Sequence, residues 1–349
     1  MSEKKLSIIG SDNKPSNQPP QTLSSKATQI ARKKAAQAIF ERQWLIDPEQ
    51  FNPLNNSMGQ LRMARTKSLI KEFVDLPGKQ AADLGCGWGV LAHFLQAEGA
   101  TVTAVDIAEN ALKLLRDKEE GSQTPDQSGK FPFEPMQIRQ EALPATGLKE
   151  DTYDLVVCTD VIAEIDQHDY RLLIAELSHI AKKEGHIVLS TPLDIYSEDA
   201  VERLIELVKT ELHIDKAVGS YHYLFIRLAD TLKAPARFYR AWKNRDFRQS
   251  ELRARPPLTR WWFRLNSTPI PASLWFIVGL ATTPLAKCLE KSKSLLLGLE
   301  KLSHFLLSTR GLSHIILSGK RRPLEPLIEK SASETKLFAL AQRKERKWE

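Results

Sequence analysis

With 349 residues, the chain is longer than one ordinary domain and shorter than three, and long enough to bury a substantial core. Hydrophobic residues make up 42% and charged residues 27%, a globular composition that excludes a wholly disordered, collagen-like or multi-span membrane protein. The formal net charge of +7 invites nucleic acid or an anionic membrane as a partner, but a total does not say where the charge sits.

Residues 1–24, rich in Ser, Asn, Gln and Pro and without an apolar run, read as a disordered leader, not a secretory signal. Cys86, Cys158 and Cys288 lie far apart with no C-x-x-C pair, so neither a disulfide scaffold nor a zinc site is expected, and a cytoplasmic location is. Residues 25–62 read as an N-terminal helical segment. Apolar residues at helical spacing (Ile30, Ala35, Ile39, Phe40) predict a helix up to Ile46, and the Pro/Asn/Gly-rich stretch from Asp47 to Gly59 interrupts it. A second helical run is predicted from about Leu61 to Val74, ended by Pro77 and Gly78.

Residues 63–226 then alternate. Strands are predicted at QAADLGC, TVTAVDI, PMQIRQEA, YDLVVCTDVI and HIVLSTP. Helices are predicted at VLAHFLQAEG, ENALKLLRDKEE, HDYRLLIAELSHIAKK and SEDAVERLIELVKTEL. Such alternation predicts an α/β fold with a doubly wound parallel sheet, its site beyond the carboxyl ends of the strands. From Tyr221 the alternation stops. Residues 227–312 form a basic, Trp- and Leu-rich helical insertion, residues 313–323 one last strand of the sheet, and residues 324–349 a polar tail.

Asp83-Leu84-Gly85-Cys86-Gly87-Trp88-Gly89 falls at a strand-to-helix junction, where glycines allow a tight turn and a helix N-terminus offers N–H donors. The spacing is acidic-x-G-x-G-x-G, with Val90 at the third glycine position of the dinucleotide fingerprint, and no Walker Lys-Ser/Thr follows. A leading carboxylate suits a ligand carrying an amine and a sulfonium and would repel a pyrophosphate. The second strand ends at Asp106, placed to accept from ribose hydroxyls, and the third at Glu141, placed to meet an adenine amino group.

These residues resemble the class I S-adenosylmethionine-dependent methyltransferases, from about Arg62 to Leu212 and again in the last strand. The resemblance implies a Rossmann-like seven-stranded sheet and S-adenosylmethionine as cofactor. It further implies that Asp83, Gly85, Cys86, Gly87 and Gly89 surround the methionine part and Asp106 holds the ribose. Ile107 then packs on adenine, Glu141 and Ala142 reach its rim, and Thr159 completes the set from the fourth strand. Within the family, Trp44, Asp47-Pro48, Phe51-Asn52-Pro53-Leu54, Arg62 and Ser190-Thr191-Pro192 look like the quinone O-methyltransferases of ubiquinone biosynthesis. Those enzymes end the fourth strand with E-x-x-E-H. Here the stretch is Asp160-Val161-Ile162-Ala163-Glu164, with alanine in the second acid slot and glutamate in the histidine slot, which leaves metal assistance and a histidine base in doubt.

Methyl transfer is an in-line displacement, so positioning carries much of it. A phenol or alcohol acceptor still needs a base, for which Asp160 and Glu164 are the nearest candidates; the blander roles are a helix N-cap and a solvated first-turn acid. His168 and Asp169 are expected to cap the next helix, and His222 with Tyr223 to pack at the mouth of the insertion. No N/D-P-P-Y clamp follows the fourth strand, which argues against methylation of a nucleic-acid base. The expected acceptor is small and apolar, a quinone precursor or a lipid. A binding protein that has lost catalysis and an RNA-directed enzyme are the alternatives.

Between Arg227 and Arg322 stand 19 Lys plus Arg against 5 Asp plus Glu, and four of the seven tryptophans: Trp242, Trp261, Trp262 and Trp275. The apolar run Ile270 to Ala286 contains Pro271 and Pro284 and falls short of the roughly 20 residues of a spanning helix. The segment reads as a cap over the active site, as a cap that also touches an anionic membrane surface or a lipid substrate, or as an RNA-facing surface. The first two readings have it shape the acceptor pocket.

Overall fold

The computed structural model describes residues 23–122, 134–193, 200–255 and 257–322. Nearly all of the leader and the whole tail lie outside the described residues, as do residues 123–133. Seven strands form one sheet: β1 (Gln80–Leu84), β2 (Thr101–Asp106), β3 (Gln137–Gln140), β4 (Tyr153–Thr159), β5 (Ala181–Pro192), β6 (Leu212–Ser220) and β7 (His314–Arg321), in the order β3-β2-β1-β4-β5-β7-β6. The central strands are short apolar runs because helices cover both of their faces; Ala81, Ala82 and Leu84 of β1 and Leu155 to Cys158 of β4 have no exposed surface. The flanking helices are α3 (Val90–Ala97), α4 (Glu109–Ser122), α5 (Tyr170–Ile180) and α6 (Ala200–Lys209), preceded in the chain by α1 (Leu23–Ile46) and α2 (Ser57–Phe73).

The sheet is mixed, where alternation predicted a parallel one. β1 to β5 run parallel, whereas β7 is antiparallel to both β5 and β6. The cause lies in the connection. The insertion leaves the sheet after Ser220 and returns at Ser313, whose backbone N–H donates to the Ser220 carbonyl at 2.9 Å. A chain that departs and returns at the same end of a sheet must run back in the opposite direction. β6 was absent from the predicted strands because it is an edge, with polar residues from His213 to Lys216 mostly turned outward and no clean alternation. Two predicted helices are shorter than their patterns. α5 stops at Ile180, and Ala181 to Lys183 join β5; α6 stops at Lys209, and Leu212 begins β6. α2 starts earlier than predicted, because the Asn56 side chain accepts from the Gly59 N–H and caps it there.

The insertion consists of α7 (Tyr223–Lys243), α8 (Arg245–Ala254), α9 (Pro257–Asn266), α10 (Pro269–Lys291) and α11 (Lys293–Leu307). α10 is 23 residues long and continuous through Pro284, so it is long and apolar enough to cross a membrane by length and composition, contrary to the expectation from its prolines. It packs along α7 through Ala272, Gly279 and Ala286, one small residue every seven. A methyl group at Gly279 would already touch the Ala236 backbone at 3.4 Å, so the two helices lie very close.

A buried ion pair joins the insertion to the core. Arg65 of α2 donates to both Glu300 carboxylate oxygens of α11 at 2.7 and 2.8 Å and to Ser220 Oγ at 2.8 Å, and the Tyr221 N–H donates to Glu300 at 3.1 Å. His222 is buried beside it, its Nε2 3.6 Å from Glu300 and without a hydrogen bond. Burial pushes this imidazole down to about 4 against the pull of Glu300, so it is neutral at pH 7. Glu300→Ala is expected to lower the free energy of unfolding by about 2–3 kcal/mol. That is less than for a fully buried pair because Arg65 keeps a quarter of its side chain exposed. The midpoint of urea unfolding measures it.

Candidate functional site

A cavity of about 550 Å³ opens at the carboxyl ends of β1, β2 and β4. Its far wall comes from the N-terminal segment: α1, the short 3-10 helix Pro48–Phe51, and α2. Ten of the twelve residues that the sequence assigns to the cofactor or to catalysis line it: Asp83, Gly85, Cys86, Gly87, Asp106, Ile107, Glu141, Thr159, Asp160 and Glu164. Gly89 and Ala142 do not. Gly89 instead forms the left-handed N-cap of α3, backed by Leu115.

The turn after β1 needs its glycines. Gly85 has φ +74°, and a methyl group there would stand 2.2 Å from Cγ2 of Val161; Gly87 has φ +53° and lies under the Trp44 ring, 3.0 Å from where its Cβ would be. Trp44 stacks on Phe51 with centroids 4.6 Å apart, and Trp88 tilts against it at 6.2 Å. This aromatic wall closes over the turn. Both residues of the Trp44–Phe51 stack belong to the quinone-enzyme resemblance, but neither had been given a place in the site.

Two carboxylates meet the turn. Asp106 accepts from the N–H groups of Gly87 and Ala108, both at 2.9 Å. Burial still raises its carboxyl above the usual range, although these backbone bonds oppose it. Asp83 is 1% exposed and its Oδ2 has no hydrogen-bond partner. Burial, then the charge of Asp106, pushes it up to about 7. A buried carboxylate oxygen without a partner fits a cationic group brought by a ligand. Glu141 lies at the rim, 3.4 Å from Arg139.

Asp160 is not a helix cap. It sits just after β4 with φ +62° and is held from three sides: Arg62 Nη1 at 2.8 Å on Oδ2, and His314 Nε2 at 2.6 Å and Ser190 Oγ at 3.1 Å on Oδ1. Burial alone would raise its carboxyl. The bond from His314 and the charge of Arg62 outweigh that and keep it below the ordinary value. Glu164, exposed at the end of the short 3-10 helix Ile162–Glu164, is outside this cluster. Asp169 holds the N-cap position of α5, as expected, but without a side-chain hydrogen bond, and Asp166 caps the 3-10 turn Gln167–Asp169 before it, accepting from the His168 N–H at 3.0 Å. No sequence signal linked His314 to the site, since it comes from β7, 154 positions away.

No described residue of the insertion lines the cavity, contrary to the expectation that the insertion shapes it. α2 lies between them. Gly59, Arg62, Met63 and Thr66 face the cavity, while Met58, Leu61 and Arg65 on the opposite face meet the insertion.

The Methyltransferase domain family matches residues 82–189, the span from β1 to β5 that carries these groups. The chain carries a methyltransferase domain and is an S-adenosylmethionine-dependent methyltransferase. It resembles ubiquinone biosynthesis O-methyltransferases. The one from Vibrio parahaemolyticus is 26% identical to the methyltransferase over 205 residues, covering 57% of this chain and 77% of the relative. The mitochondrial one from Schizosaccharomyces pombe is 28% identical over 154 residues, covering 44% and 51%. Among solved structures, magnesium protoporphyrin IX methyltransferase from Synechocystis with bound S-adenosylmethionine has 20% identity and a TM-score of 0.40, over 53% of this chain and 89% of that one.

The methyltransferase's Asp83 gives a pH signature. Unfolded, this carboxyl loses its proton near 3.8; folded, near about 7. Between those values the folded state holds the extra proton, so this group's contribution to stability falls as pH rises through the window. Asp83→Asn is expected to flatten that slope in thermal melts while weakening S-adenosylhomocysteine binding about tenfold or more at pH 8, read by calorimetry. Gly85→Ala is expected to abolish that binding, because the Val161 clash and the left-handed backbone both oppose the side chain.

Proposed function

We propose that the methyltransferase transfers its methyl group to the hydroxyl oxygen of a small apolar acceptor, a quinone precursor or a lipid-like molecule. The observation that carries this reading is Asp160, an ionised carboxylate at the wall of a cavity whose other residues include Phe40, Met63, Leu143, Val161 and Ile165. A carboxylate in such a place can take a hydroxyl proton, and the apolar lining suits an aromatic or prenyl body. The names of the curated relatives point the same way. In this reading the unpartnered Asp83 oxygen receives the amine of the methyl donor and Asp106 its ribose, with Ile107 and Glu141 at the adenine. S-adenosylmethionine supplies an electrophilic methyl group on a sulfonium.

The same proposal includes the surface where the acceptor is met: a bilayer with anionic lipids, approached from the cytoplasmic side. α10 is inside out for a soluble helix. Its buried seam is mostly small residues, Ala272, Gly279 and Ala286 with Leu289, and many of its large ones point outward, with Ile270, Leu274, Ile277 and Leu285 on one stripe and Ile270 78% exposed. Trp261 of α9 and Leu302, Phe305 and Leu306 of α11 extend the apolar surface, with Phe305 82% exposed. Exposed Arg260, Arg264, Lys287, Lys291, Lys293 and Lys301 stand on the same three helices, each worth about 1 kcal/mol at an anionic surface.

Incubation with methyl-labelled S-adenosylmethionine and a cell lipid extract is expected to put label into the organic phase. Label in RNA alone, or binding without any product, overturns the acceptor reading. The full-length protein is expected to sediment with phosphatidylglycerol vesicles at low salt, and the exposed-face variants Ile277→Glu and Phe305→Glu to lose at least tenfold of that binding. Pelleting that does not depend on lipid sinks the membrane part.

A further inference from the structure

The E-x-x-E-H pattern of the quinone enzymes is broken at the end of β4, where Glu164 occupies the histidine slot and lies outside the Asp160 cluster. A histidine nevertheless reaches the acid at that strand end. His314, the first residue of β7, places Nε2 2.6 Å from Asp160 Oδ1. His314 is 3% exposed and does not line the cavity, and its Nδ1 is buried without a hydrogen-bond partner, so among the described residues Asp160 is the imidazole's one hydrogen-bonded side chain. The carboxylate is fixed at both ends, since Arg62 holds Oδ2 at 2.8 Å. Yet the Asp160 side chain keeps 39% of its surface exposed and borders the cavity. The left-handed backbone at φ +62° is unfavourable for an aspartate. It persists where the surroundings over-determine it, and here the Asp160 N–H is also tied to the Ser190 carbonyl at 2.8 Å.

We propose that His314 is the positioning residue for Asp160 and stands in for the histidine missing from the fourth strand. It donates its Nε2–H to Oδ1 and so keeps the carboxylate ionised and aimed at the acceptor. This rests on the reading of Asp160 as the base for an O-methyl acceptor. In that step the acceptor oxygen forms the new bond to the methyl carbon, the carbon–sulfur pair stays on sulfur, and the hydroxyl proton passes to Asp160, which becomes a neutral acid. The polar and charged groups around the pair come from each packed element: Arg62 and Arg65 from α2, Ser190 from β5, His222 at the root of the insertion, and Cys158 in β4. Burial keeps His222 neutral and Cys158 protonated at pH 7, and Arg65 is spent on Glu300, so Arg62 and His314 are the two neighbours that set the charge of Asp160 in the working range.

A purely structural tie between β4 and β7 would affect melting but not the pH profile. His314→Leu removes the donor; His314→Gln keeps an N–H close to the Nε2 position. With an alkylcatechol as acceptor, H314L is expected to move the acid limb of the kcat–pH profile up by about one pH unit, which lowers kcat about tenfold on that limb. H314Q restores the wild-type limb, and S-adenosylhomocysteine affinity stays unchanged in both. An unchanged acid limb in folded H314L overturns the proposal, as does an equal displacement in H314L and H314Q. A second readout needs no turnover and no His314 variant: nitrogen NMR of the histidine rings in the full-length protein with S-adenosylhomocysteine, wild type against Asp160→Asn. The His314 Nε2 resonance is expected to move, and identical spectra overturn the pairing. Absence of turnover by the wild type with the alkylcatechol and with the lipid extract would count against the acceptor reading, while the NMR result would still decide the pairing.

Discussion

The arrangement depends on one closure: the insertion leaves the sheet at Ser220 and returns at Ser313, where the two residues share backbone and side-chain hydrogen bonds of 2.9 and 3.0 Å. Because departure and return coincide, β7 must run backwards between β5 and β6. Its first residue therefore lies at the carboxyl end of the parallel strands, where the site is. Had the chain crossed over, His314 would be at the opposite end of the sheet. The same closure gathers Glu300, His222 and Arg65 into one buried knot, so the geometry of the insertion and that of the acid at the end of β4 have a common origin.

α2 is the divider in this architecture. One face gives the cavity Arg62 and Met63, and the other gives Arg65 to the insertion and packs against its apolar cluster. Chemistry and surface are therefore neighbours without sharing side chains. The charge follows the same partition. The core and termini carry an acidic excess and the segment from Arg227 to Arg322 a basic one, and the net +7 is what remains of two opposite fields. The exposed apolar residues of α9, α10 and α11 lie within the basic segment.

The parts legible in the sequence are those fixed by local chemistry. β1, β2, β4 and β5 are doubly covered, so each reads as a short apolar run, and the glycine turn after β1 reads by spacing. Asp83 and Asp106 could be placed because strand ends are predictable once strands are. Other features were not legible because they depend on distant chain. The direction of β7 follows from where a long detour returns, β6 is a polar edge without alternation, and the partners of Asp160 come from α2, β5 and β7. The cap reading of the insertion failed on a similar point: helix pattern gives the faces of α2 but not which neighbour each face meets.

The position of β7 also governs how the molecule can be made. It is the last described strand in the chain but the sixth in the sheet, paired on both sides. Until it emerges from the ribosome, β5 presents an open edge and β6 lacks its described partner strand, while the exposed apolar helices between β6 and β7 are already complete. Such pairings are the slow, long-range kind, and open edges beside apolar surface are where nascent chains associate wrongly. Synthesis directly against a bilayer or a holding chaperone would shield both until the final strand slots in.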